Sequence, residues 1–110
     1  MTLKPKLNGD CYKANANYFL YEVKPSQAIH WKLCHGLAIN RVDGKPYGHC
    51  WLEYDGMVID KSNGLEVELP IEMYYDIGNI EKVYKYTVKE VREKLIKFEH
   101  WGAWDYSPPR

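Results

Sequence analysis

The sequence predicts an α+β domain: an N-terminal helix carrying Cys11, then several antiparallel strands, then a C-terminal helix. Three observations predict it. "GHCWLEY" and "MVID" flank Asp55-Gly56, a pair that tolerates the positive φ of a two-residue hairpin turn. "TVKEVREKLIKFEHW" opens with Thr87 and Glu90 at capping-box spacing ahead of a run with helical periodicity. "DCYKANANYFLYEV" offers Asp10 as a cap, with Ala14, Tyr18 and later apolar residues as a buried face, and Pro25 closes it.

Between these anchors the elements follow in order. Residues 1–9 are irregular, with Pro5 and Asn8-Gly9 as breakers. "HWKLCHGLAINRV" reads as a strand, broken or bulged near Gly36, and Asp43-Gly44-Lys45-Pro46 turns the chain back. Ser62-Asn63-Gly64 turns from the hairpin into the strand "LEVELP". Pro70 stands near the first position of a short helix "IEMYYDIG". "NIEKVYKYTV" is a further strand, and Gly102 with two prolines stops the C-terminal helix within "WGAWDYSPPR". No linker or repeat interrupts the pattern, so residues 1–110 are expected to form one small domain.

Composition narrows the function. Fifteen basic residues balance fifteen acidic ones with no basic stripe, which argues against nucleic acid as a partner. No apolar run approaches a membrane span and the first residues carry no apolar signal region, so a cytoplasmic protein is expected. The three cysteines, Cys11, Cys34 and Cys50, form no C-x-x-C pair and read as thiols. Ten tyrosines and four tryptophans supply large rings, either to cover a small core or to form a binding surface.

A two-residue turn at Asp55-Gly56 fixes the hairpin register. It pairs Tyr54 with Met57, Glu53 with Val58, Leu52 with Ile59 and Trp51 with Asp60. His49, Trp51, Glu53, Val58, Asp60 and Ser62 then share one face, and His49 and Asp60 are diagonal neighbours within hydrogen-bond reach. A carboxylate so placed can orient an imidazole and support its positive charge. Cys11 lies at the predicted start of the first helix, where backbone N–H groups and the helix dipole favour a thiolate.

Cysteine at a helix start in "GDCYKANA", histidine in "GHCWLE" and aspartate in "GMVIDKSNG" resemble the transglutaminase-like branch of the papain-like cysteine enzymes. "NGDCYKAN" is also loosely similar to the cysteine motif of arylamine N-acetyltransferases, which share that broad fold. The resemblance covers residues 8–64, about half the chain. It implies Cys11 as nucleophile, His49 as base and acid, and Asp60 as the group that orients His49. The implied reaction is thiol acyl transfer through a thioester: a protease, amidase or deamidase if water is the acceptor, a transferase if an amine is. The substrate would be a peptide, a protein or a small amide, with no cofactor. The oxyanion would be held by the Cys11 backbone N–H and a second donor, for which Asn8 is the candidate. Trp51 is a candidate wall of the substrate groove, or else core.

Two other readings compete. Cys34-His35 and His49-Cys50 contain zinc-type ligands, but adjacent strand residues point to opposite faces, so no metal site is expected. His30 and His100 are expected at the surface. The alternative to an enzyme is a catalytically inactive papain-like domain that binds through its aromatic surface.

Overall fold

The computed structural model describes residues 10–40, 42–62 and 67–106. Five strands form one antiparallel sheet: β1 Lys32–Ile39, β2 Pro46–Tyr54, β3 Met57–Asp60, β4 Val67–Pro70 and β5 Glu81–Tyr86, in the order β4-β3-β2-β1-β5. The β2–β3 hairpin has the predicted register, with Tyr54 opposite Met57, Glu53 opposite Val58 and Leu52 opposite Ile59. Asp55 and Gly56 take φ of 52° and 77°, the left-handed pair that a tight hairpin turn requires.

The irregularity expected near Gly36 is a register shift in the β1–β5 pairing between His35 and Leu37. A side chain cannot be added there, because a Cβ on Gly36 would lie 2.8 Å from the Trp51 ring. β1 is shorter than the run His30–Val42 that the sequence suggests. His30 and Trp31 turn their N–H groups back to Gln27 and Ala28, and Asn40 accepts hydrogen bonds from Val42 and Gly44, so both ends leave the ladder.

The first helix is α1, Asp10–Asn17, which widens into a π-helical turn over Tyr18–Glu22 rather than continuing as one α-helix to Val23. Pro25 both ends that segment and begins α2, Pro25–Ala28, because a proline at the first turn loses no helical hydrogen bond. α3 covers Ile71–Gly78 directly after Pro70. α4, Val88–Phe98, carries the predicted capping box: Thr87 accepts from Glu90 N–H at 3.1 Å and Glu90 accepts from Thr87 N–H at 2.9 Å. It stops at Glu99, which turns left-handed, three residues short of the expected end.

The sheet is covered on both faces. Cys50, Leu52, Ile59 and Leu33 pack under α1, the π-helical turn, Val91 of α4 and Trp104 of the C-terminal segment. On the opposite face Cys34, Trp51 and Val58 pack against Ile71, Tyr74 and Tyr75 of α3. No helix among the described residues is long and apolar enough to cross a membrane.

Candidate active site

Beyond the Leu52–Ile59 pair, β2 and β3 part, and Asn15 of α1 fills the opening. Continued pairing would join Cys50 to Lys61. Instead the Asn15 side-chain amide donates to the Cys50 carbonyl at 3.1 Å and accepts from Lys61 N–H at 2.9 Å, working as a peptide unit between the two strands. The same NH₂ group reaches the Cys11 carbonyl at 2.9 Å and Asp60 Oδ1 at 3.2 Å. One wholly buried side chain therefore ties the first turn of α1 to both strands.

Asp60 and His49 lie on the α3 face, as the hairpin register requires. Asp60 is buried and saturated with donors. Its Oδ1 accepts from Asn15, from Ser62 N–H at 2.9 Å and from the Ser62 hydroxyl at 2.7 Å. Its Oδ2 accepts from the Tyr74 hydroxyl at 2.9 Å and from His49 Nε2 at 3.2 Å. Burial opposes the charge, but these bonds and the His49 charge hold the carboxyl well below the usual carboxylate range.

His49 Nε2 also sits 2.7 Å from the Tyr74 hydroxyl. Tyr74 has one proton and gives it to Asp60, so Nε2 must carry the hydrogen that both acceptors share. Cys11 lies near enough to the same imidazole for its charge to favour the protonated ring. Burial alone would lower the His49 pKa. The hydrogen bond to Asp60 and the nearness and charges of Cys11 and Asp60 outweigh it and raise the pKa to about 9. His49 thus stands between Cys11 and Asp60, the three residues the sequence singled out.

The remaining candidates fare differently. Cys11 occupies the first turn of α1 as expected, yet its residue is only 7 % exposed, so access to the thiol is narrow rather than open. Trp51 is wholly buried and walls no groove; its ring packs on Gly36 and its indole N–H donates to Glu53 at 2.9 Å. The hydrophobic neighbours on the α3 face claim it, as the even alternation of the strand allows. Asn8 lies outside the described residues. Cys34 and Cys50 are buried free thiols in the cores of opposite faces, and burial pushes both up. No group of three or more His, Cys, Asp or Glu among the described residues is gathered to hold a metal ion. His30 and His100 are exposed.

Two residues of the site escaped the sequence reading. Asn15 left a signal, a polar side chain one turn after Cys11 on the buried side of its helix. Tyr74 left none, since its contact with His49 depends on how α3 docks. Alongside, Ala14, Asn17, Tyr18, Tyr21, Glu22 and Lys61 line a surface depression of about 390 Å³ that begins one helical turn beyond Cys11. The chain matches no family model, no curated protein and no solved structure.

Proposed function

We propose that the protein is a cysteine hydrolase or acyltransferase of the transglutaminase-like, papain-like type, acting on an amide bond of a peptide, protein or small molecule. The observation that carries this reading is a single imidazole, His49, hydrogen-bonded to Asp60 at 3.2 Å and close enough to Cys11 to feel its charge. In the reaction Cys11 attacks the amide carbonyl, and His49 passes a proton to the departing amine. Water or an amine then attacks the thioester, with His49 as its base. Asp60 keeps the imidazole in the tautomer that presents Nδ1 to sulfur. A second reading, a non-catalytic binding domain of the same fold, is favoured by the 7 % exposure of Cys11.

Alkylation by iodoacetamide across pH, mapped by peptide to each cysteine, separates the two. The enzyme reading expects Cys11 to react at pH 6.5 about tenfold faster than a free thiol of pKa about 8.5, with His49→Ala abolishing the advantage. Unreactive Cys11, or reactivity indifferent to His49, favours the binding domain.

A further inference from the structure

An acyl-transfer site needs a donor for the oxygen that becomes negative as sulfur attacks, and this inference rests on the thiol acyl-transfer reading above. Cys11 N–H, in the first turn of α1, has no intrahelical acceptor and serves as one donor. The charge of Cys11 acts on four tyrosine phenols: Tyr12, Tyr47, Tyr74 and Tyr106. Three of their hydroxyls are committed. Tyr74 donates to Asp60, Tyr106 donates to the Gly36 carbonyl at 2.8 Å, and Tyr12 is left to donate to Tyr106 at 3.1 Å.

Tyr47 differs from the other three. It stands two residues before His49 on β2 and therefore on the same face, and its ring meets the imidazole edge-on at 5.8 Å. It is half-buried, so part of it reaches solvent. Its hydroxyl makes no hydrogen bond with any described residue, whereas its neighbours' hydroxyls all do. We infer that Tyr47 is the side-chain oxyanion donor, a catalytic residue whose phenol O–H, with Cys11 N–H, binds the carbonyl oxygen of the substrate.

The step balances within the site. The Cys11 thiolate adds to the carbonyl carbon, an S–C bond forms, and the C=O π pair moves onto oxygen, where Tyr47 and Cys11 N–H stabilise it. When the oxygen pair returns, the bond to the leaving group breaks and the thioester remains. Burial and the nearby Cys11 and Asp60 charges push the Tyr47 phenol up, which keeps its proton available for donation.

Alkylation and acylation of the same sulfur test this, because displacement of iodide creates no oxyanion and attack on an ester does. Wild-type, Tyr47→Phe and His49→Ala proteins are treated with 4-nitrophenyl acetate and, separately, with iodoacetamide, and modification is mapped to Cys11. Tyr47→Phe is expected to slow acetylation about 100-fold, the scale of one lost oxyanion donor, while alkylation stays within twofold. Acetylation at the wild-type rate, or a parallel fall in both reactions, overturns the role of Tyr47 and leaves the Cys-His reading standing. Wild-type Cys11 that is neither acetylated nor alkylated in a His49-dependent way overturns the acyl-transfer reading itself, and the oxyanion role falls with it.

Discussion

His35 offers a stability prediction that does not rest on the proposed chemistry. The imidazole is wholly buried, and neither ring nitrogen has a hydrogen-bond partner among the described residues. Tyr12, Trp104 and Tyr86 enclose it at centroid distances of 4.8, 4.8 and 5.0 Å. Gly102 closes the box so tightly that a Cβ there would lie 2.7 Å from the ring. Burial without a partner disfavours the imidazolium and lowers the pKa from 6.5 to about 3. The folded value lies below the unfolded one, so stability is intact above pH 6.5 and is lost as pH falls toward 3. At pH 5 the unfolded chain takes up a proton that the native chain refuses, which costs about 2 kcal/mol. Against a total of roughly 5–15 kcal/mol that is a large share. His49 has the opposite sign, and because its unfolded value of 6.5 lies inside the window its gain grows by about 0.8 kcal/mol between pH 7 and pH 5, offsetting part of the His35 loss. Asp60, Glu53 and Asp105 have lowered values and act mainly below pH 5, as unfolded carboxyls begin to protonate. Urea unfolding of the wild type is therefore expected to show a midpoint about 0.5 M lower at pH 5 than at pH 7, given a net loss of about 1 kcal/mol and a slope of about 2 kcal/mol per M. His35→Phe keeps a ring in the box, His35→Leu keeps it apolar, and either should remove that difference. A wild type equally stable at both pH values, or variants that lose as much as the wild type, would show that protonated His35 finds a partner after all.

Two further predictions concern the site's supports. Asn15→Ala strips partners from the buried Cys50 carbonyl and the part-buried Lys61 N–H and is expected to cost about 2–6 kcal/mol, read from urea midpoints, at about 1–3 kcal/mol per group; a loss under about 0.5 kcal/mol would mean water replaces the amide without penalty. Asp60→Asn removes the anion beside Nε2 and should bring the His49 pKa down from about 9, followed by NMR titration of the imidazole, with loss of Cys11 reactivity at pH 6.5; an unmoved titration would assign the shift to Cys11 alone.

Much of the fold was legible because its signals are local. Asp55-Gly56 fixes a turn that few other pairs can make, and from that turn the register, the face and the His49–Asp60 contact all follow by counting. The capping box of α4 is legible for the same reason, since both partners lie within one turn. What stayed hidden depends on docking between distant segments. The π-helical turn after Asn17, the return of Trp104 and Tyr106 onto β1, and the reach of Tyr74 into the site are decided by packing across the sheet. The burial of Cys11 belongs with these, because a helix start is exposed only if nothing folds over it.

The two inner histidines show where local reasoning ends. His35 and His49 lie on neighbouring strands, one residue out of step, since Gly36 faces His49 and His35 faces Cys50. Both occupy strand positions flanked by apolar residues, and the sequence offers no ground to rank one above the other except the aspartate eleven positions after His49. That single residue decides the chemistry. The one-residue offset sends His35 to the α1 face, among rings that give its nitrogens nothing to bind, so it stays neutral. It sends His49 to the α3 face, where Asp60 and Tyr74 accept its proton and the charge of Cys11 acts on the ring. Burial opposes the charged form at both positions, and only at His49 do partners reverse the outcome. A one-residue slip in the hairpin would exchange the two faces of β3, leaving Asp60 among the apolar residues under α1 and His49 without its acceptor. The rigidity of the Asp55-Gly56 turn is thus a requirement of the site as much as of the sheet.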